Sequence, residues 1–351
     1  MKSYKLFLFA ILALALNACN LQPAKNADKN NVKYYRGLQF SETPYDTEKG
    51  THELTATEAQ TINNYKFTWN EKNQLVSVEY NRNNVLLDYS SMGAAKVTYT
   101  YDADKQIKRF FNEKNEPVKN GGASVFEYQL NESGQRIAMR YLDENNTPIL
   151  NRNKIHNYKW TKLEDGMVKE LRYNLAGESV VMNEFCPFFE LRFSYDKSGY
   201  VTRMANYQAD TLYNCTAENC GDIGVSYFQF ENNTSGDMLN FSVHNKVGQL
   251  SNLYWGWAKR VNVVDPAGNV LETSMFDQDN EYLSGKNVPV TKSEYDQHGA
   301  VVKRISMDKD KNVFNNPANG VATVVYKYDE QGKRTETVQY DKDNAVVVSK
   351  N

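Results

Sequence analysis

The side chains of this chain that could do chemistry are few and far apart. Its four histidines, His52, His156, His244 and His298, are too scattered to gather a metal ion or a proton relay through local spacing. Solvent-facing or turn roles are the expectation for all four. Cys215-Thr-Ala-Glu-Asn-Cys220 is a candidate disulfide closing a local loop, and Cys186 with Cys220 is an alternative pairing. A thiol-based metal site would need four close ligands, which these cysteines do not supply. Asp277-Gln-Asp279, Asp308-Lys-Asp310-Lys-Asn312 and Asp341-Lys-Asp343-Asn344 begin like calcium loops. They lack the glycine at the sixth position and the glutamate at the twelfth that bend such a loop and close the coordination shell, so turn formation explains them better. No nucleophile elbow, phosphate loop or dinucleotide fingerprint is present. The expectation is a protein that is not an enzyme and needs no metal and no cofactor. Leu253-Tyr-Trp-Gly-Trp257 stands apart. On a strand, Trp255 and Trp257 would share a face, making them a candidate partner contact, with space-filling between repeats as the competing reading.

The elements that would carry these residues repeat. In Val324-Val-Tyr-Lys-Tyr-Asp-Glu-Gln-Gly332, apolar and polar residues alternate with the period of a half-buried strand. Asp329 and Gly332 supply turn chemistry, because Asp caps its own backbone and Gly takes a positive φ freely. A second β-rich run ends at Tyr340, and Asp341-Lys-Asp-Asn344 turns the chain again. With Gly332 as anchor, counterparts fall at Asn73, Lys105, Gly134, Gly166, Gly199, Gly236, Gly268 and Gly299, at separations of 29 to 37 residues. A large apolar residue precedes most anchors by four positions, including Trp69, Tyr101, Tyr195, Tyr295 and Tyr328. The expected fold is all-β: a repeated antiparallel β-hairpin meander of about nine units over residues 65–351, forming an elongated twisted sheet or β-solenoid. Residues 32–64 would cap its first edge, with a short helical segment opened by the capping box Thr55-Ala-Thr-Glu58.

The N-terminus reads as an address. A basic start, an apolar run from Leu6 to Leu16 and then Asn17-Ala-Cys19 make residues 1–18 a signal peptide, too short to span a bilayer. Leu16-Asn-Ala-Cys19 resembles the lipobox of bacterial lipoproteins. The resemblance implies lipidation of Cys19, and Asn20 after it implies sorting to the outer membrane. Residues 19–31 would be the lipidated cysteine and a flexible tether. The repeat resembles the RHS/YD family, through Tyr326-Lys-Tyr-Asp-Glu-Gln-Gly332, Phe193-Ser-Tyr-Asp-Lys-Ser-Gly199 and Tyr99-Thr-Tyr-Asp-Ala-Asp-Lys105. It also looks like the MORN-like arrays of some antitoxin and immunity proteins.

Taking Lys2 and Lys5 from the 41 basic residues leaves 39 against 43 acidic, a net −4, with signs alternating along the turns. No basic stripe forms, which argues against nucleic acid as a partner. Tyrosine is abundant at 24, and in so polar a chain this suggests a thin sheet faced by large amphipathic side chains. The expected function is a non-catalytic, lipid-anchored protein-binding or scaffold module of the bacterial outer membrane. Its partner would be an envelope protein or a toxin, as in an immunity protein. The alternative is glycan or peptidoglycan binding through exposed aromatics.

Overall fold

The computed structural model describes residues 31–88, 90–183, 188–213, 225–285 and 287–347. The lipobox with Cys19, the signal segment and the tether through residue 30 lie outside them, as do Cys186, Cys215 and Cys220. The described strands form one antiparallel sheet of 22 strands, so the all-β hairpin meander expected from the repeats is the fold. The nine units are hairpins: Asn64–Trp69 with Leu75–Arg82, Lys96–Asp102 with Lys105–Phe111, Val125–Leu130 with Arg136–Leu142, Asn157–Lys162 with Val168–Tyr173, Glu190–Tyr195 with Val201–Gln208, Tyr227–Asn232 with Met238–His244, Lys259–Val264 with Val270–Phe276, Val290–Tyr295 with Val301–Met307, and Thr323–Tyr328 with Arg334–Tyr340. They are numbered 1 to 9 in that order.

Each hairpin closes by the chemistry its residues imply. In unit 9 the Asp329 carboxylate accepts the backbone N–H of Gln331 at 3.0 Å and of Lys333 at 2.8 Å, while Gly332 adopts φ +76°. Asn70, Asn131, Asp196, Asn233, Asp265 and Asp296 close their turns in the same way. Unit 2 departs from the expectation. Asp102 pairs with Lys105 across a two-residue turn with Ala103 at φ +49°, so Lys105 is a strand residue and not a turn anchor. The carboxylates read as calcium-like build the second turn of their units. Asp308 Oδ1 accepts the N–H of Asp310 and Asn312 at 2.9 and 2.8 Å, and Asp277 and Asp341 repeat the arrangement.

Successive units join along a short seam. In units 1, 3 and 5 to 8 the residues four, five and six past the anchor pair with the next hairpin, as Glu272, Thr273 and Ser274 do with Lys292, Thr291 and Val290. The tyrosine of the repeated motif ties one unit to the one before it. The hydroxyls of Tyr101, Tyr295 and Tyr328 donate to the carbonyls of Leu75, Val270 and Val301, each two residues past the preceding anchor, at 3.0, 3.0 and 2.8 Å. Asn232 and Asn262 make the same tie with their side-chain amides, to Val201 and Met238.

Two expectations need correcting. The capping box forms, with Glu58 accepting the Thr55 N–H at 2.8 Å and Thr55 Oγ1 accepting the Glu58 N–H at 3.2 Å, but only a 3-10 turn, Glu58–Gln60, follows instead of an α-helix. The other concerns thickness. The sheet is not a thin ribbon covered on each face, because it curls round its own N-terminal segment. Asn31–Leu38 pairs with both Gly50–Leu54 and the first strand of unit 1, and the chain between Leu38 and Gly50 runs against the inward face of the array. Phe40 packs on Phe230 and Tyr45 on Trp160, within one core cluster that runs from Tyr65 to Leu253. The anchor turns then stack on this segment: Lys49 meets Gly199, Thr51 meets Gly236, His52 meets Gly268 and Arg36 meets Gly299. A Cβ at Gly268 would stand 2.6 Å from the His52 ring, so glycine serves there for close approach as well as for its φ of +85°.

Candidate binding surface

The N-terminal segment is held by buried charge. Arg136 stacks 3.8 Å over the Tyr128 ring and donates to the carbonyls of Pro44, Tyr45 and Asp46 at 3.0, 3.3 and 2.5 Å. Glu170, fully buried, accepts from Arg172 at 3.0 Å, from the Trp160 indole at 2.9 Å and from the Thr43 hydroxyl. Burial pushes its carboxyl above the usual range, against the pull of Arg172. Glu48 bonds Lys108 and the Tyr99 hydroxyl. Burial drives its carboxyl up, but Lys108 and Arg136 together hold it below the usual value. Tyr195 donates to Asp46 at 2.9 Å. A cleft of about 550 Å³ remains between this segment and units 2 and 3, but the lysine facing it, Lys108, is already neutralised by Glu48.

Glu42 has no such hydrogen-bonded partner among the described residues. Burial pushes its carboxyl up to about 7, opposed by the charge of Arg260. Arg260 lies 5.7 Å from the Phe241 ring, with one N–H on the Met238 sulfur at 3.2 Å and its Nε buried without an acceptor.

Arg260 marks a boundary. In units 1 to 6 the inward face is packed, and apolar except for the charges buried against the N-terminal segment, and the core cluster stops at Leu253. From unit 7 the strand register sorts the charges. Directly opposed residues of an antiparallel pair share a face, and Arg260 opposes Phe241, so it points inward. The same alternation places Asn262, Thr273, Thr291, Ser293, Arg304 and Tyr326 inward across units 7 to 9. Arg334, opposite Tyr328, joins them. Every strand glutamate of these units lies on the outward face opposite a lysine: Glu272 with Lys292, Glu294 with Lys303, Glu336 with Lys327. The charged strand residues on the inward face of units 7 to 9 are therefore Arg260, Arg304 and Arg334. Tyr326 stands between two of them, its ring centre 5.9 Å from Arg304 and 5.4 Å from Arg334. Both of these arginines are exposed, and neither makes an ion pair among the described residues. A face of this kind can hold an acidic or hydrogen-bonding ligand by charge-assisted bonds and stacking. Sequence reading saw no basic stripe because these arginines are 44 and 30 residues apart. Only the register gathers them.

Trp255 and Trp257 are not on a strand. They sit in a turn with Gly256 at φ +87°, their rings stacked 5.0 Å apart. The Trp255 indole donates to the Trp257 carbonyl at 2.8 Å, and Trp257 packs edge-on against Phe241. The pair is half-buried beside Arg260, and the exposed ring of this turn is Tyr254. The histidines are apart and engaged. His52 lies 2.8 and 2.9 Å from both carboxylate oxygens of Asp237, and His244 stacks on Tyr227 with ring centres 4.7 Å apart. His156 and His298 bond the carbonyls of Ile149 and Thr61. Among the described residues no cluster of His, Cys, Asp and Glu could hold a metal, and no helix is long and apolar enough to cross a membrane.

The fold and this face define a class: a β-hairpin repeat array closed at one end by its own N-terminal segment and open, with a cationic-aromatic face, at the other. No protein-family profile matches the chain, and no curated protein does. Among solved structures it is similar to the TcdB2-TccC3-TEV chain, with TM-score 0.31 and 11% identity over 87% of this chain and 15% of that one. The TcdB2-TccC3-Cdc42 chain gives TM-score 0.31 and 10% identity over 84% and 14%. A porin-like protein from Bacteroides uniformis ATCC 8492 gives TM-score 0.24 and 10% identity over 78% and 86%. The chain thus spans about 15% of the TcdB2-TccC3 chain it matches, and overlaps of this size carry no inference about function.

Proposed function

We propose that the protein is a non-catalytic binding module, tethered to the bacterial outer membrane through lipidated Cys19, which receives a partner protein on the inward face of units 7 to 9. The observation that carries the reading is the sorting of charge in those units, with arginines inward and glutamates outward. Such sorting has no use in packing, since the core has ended, and it suits an extended polar contact spread over several units. Arg304, Tyr326 and Arg334 are the contact residues. Trp255 and Trp257 buttress the inner end of the face through Phe241.

The anchor and the face are tested separately. Cys19→Ala is expected to move the protein from the membrane pellet to the soluble fraction; retention in the pellet after a salt wash would remove the lipoprotein reading. For the face, cross-linked envelopes are captured through wild type and through an Arg304→Glu/Arg334→Glu variant. Loss of the wild-type partners in the variant supports the reading, and identical recovery overturns it. Retention of wild type on purified peptidoglycan, lost in the variant, would transfer the site to a glycan.

A further inference from the structure

Unit 9 ends on a strand that is shaped to be paired. In every preceding seam of units 5 to 8, the residues four, five and six past the anchor receive the next hairpin: 203–205, 240–242, 272–274 and 303–305. Their equivalents past Gly332 are Glu336, Thr337 and Val338, which pair on one side with unit 9 itself and on the other with nothing among the described residues. The direction of the backbone is known from the repeats. Val243 and Ser306, seven past their anchors, donate their N–H groups to the next unit, at Ala258 and Ala322. Alternate residues of a strand point the same way, so the equivalent N–H groups of Thr337 and Gln339 lie on the side where a further strand would pair; at Gln339 that side also holds Val347, whose N–H donates to the Gln339 carbonyl at 2.8 Å as Phe314 does to Ser306. The other end of the sheet offers no such edge. Thr51 is buried and His52 is paired to Asp237, which places Gly50–Leu54 against the anchor turns.

We infer that this edge binds an extended acidic segment of a partner protein as an added antiparallel strand, with its carboxylates on the inward face beside Arg334 and within the longer-range field of Arg304, two strands further in. Two independent features agree on the occupant. The free amides ask for a peptide backbone, because an edge strand is completed by another strand. The arginines ask for negative charge, because no strand carboxylate of units 7 to 9 among the described residues shares their face. The inference rests on the reading that the inward face of these units is the binding face, and it adds the mode and the chemistry. An added strand opposite Thr337 would carry alternate side chains over Tyr326 and Arg334, which already flank that position. On the outward side it would meet Glu336, whose present partner is Lys327, so a basic or neutral residue fits there.

The test uses the full-length protein and labelled synthetic peptides of roughly seven residues, a common strand length, followed by fluorescence anisotropy. One peptide alternates valine with glutamate, and a second alternates valine with lysine. A third is the acidic peptide with alternate backbone amides methylated, which keeps the charge and abolishes strand pairing. The acidic peptide is expected to bind, and to slow amide-hydrogen exchange across 334–340. Arg304→Glu/Arg334→Glu, the methylated peptide and Thr337→Pro should each weaken binding by at least about tenfold, the loss of one or two charge-assisted or backbone bonds. Thr337→Pro removes an N–H that faces the open edge, where proline is tolerated. Should that variant fail to fold, the methylated peptide answers the same question. Equal binding of the methylated and plain acidic peptides would overturn strand addition while leaving the binding face intact. Equal binding of acidic and basic peptides would overturn the role of the arginines. Binding of polygalacturonate, with loss in the arginine variant and no binding of either peptide, would give the face to an anionic glycan and overturn the inference.

Discussion

Glu42→Gln provides a measurement whose sign and size follow from the packing of the N-terminal segment. Burial of Glu42 raises its carboxyl from 4.5 in the unfolded chain to about 7 in the fold, even with Arg260 pulling the other way. Below pH 4.5 both states hold the proton and the site contributes nothing to the pH dependence. Between 4.5 and 7 the folded state binds a proton that the unfolded state has lost, so stability from this site falls as pH rises. Above 7 the fold carries the full cost of a buried carboxylate, about 3 kcal/mol for a shift of this size. Glutamine fills nearly the same volume and does not titrate. The assay is urea unfolding of both proteins at pH 4.5 and pH 8. Glu42→Gln should gain about 2–3 kcal/mol on wild type between the two values. Comparing the same pair at both pH values cancels the buried carboxyls of Asp46, Glu48 and Glu170, which titrate in both proteins. A stability difference that stays flat from pH 4.5 to 8 would refute the reasoning and place Glu42 in water.

The anchor glycines should separate into two groups by urea midpoint. Gly134→Ala, at φ +75° in open space, should cost about 1–2 kcal/mol, while Gly299→Ala should cost about 2 more by displacing the Arg36 bonds to Asn63, Asn269 and Gly299; equal costs would mean that the turn does not rest on Arg36. Asp308→Ala should lower stability by about 1 kcal/mol through loss of its turn bonds, and added calcium should leave the melting temperature of wild type unchanged; a calcium-dependent rise would restore a metal role to that loop. Trp257→Ala should cost about 3 kcal/mol or more by removing the ring packed on Phe241, and an unchanged melting curve would return the tryptophans to the surface.

The repeat was legible because turn chemistry is local. Asp329 and Gly332 need only their own neighbours to form their turn, and the alternation around Tyr326 and Tyr328 needs only the pleat. The capping box at Thr55 was legible for the same reason, but the helix it opens is stopped after one turn as Asn63 is drawn into pairing with His298. What could not be read were relations across 100 residues or more. Nothing in Pro44-Tyr45-Asp46 announces that Arg136 will close on its carbonyls. Trp255 and Trp257 misled because a strand is expected there, whereas the positive φ of Gly256 makes a turn. The inward arginines were hidden by their separation along the chain, and Arg334 also by the β-bulge between Lys327 and Tyr328, which shifts the period by one and changes which residues share a face.

A hairpin array held together by nearest-neighbour seams alone should unravel from its ends, one unit at a time, with no single melting transition. Here the residues between Arg36 and His52 touch units 2 to 8 directly, through Tyr99, Arg136, Trp160, Tyr195, Asp237, Gly268 and Gly299. Loosening any one of those units exposes the common strut and the charges buried against it. The units from 2 to 8 are thereby coupled into one cooperative block, while unit 9, tied mainly through its seam and the Arg82 contact to Glu330, is free to fray and re-form at the edge where a new strand would enter.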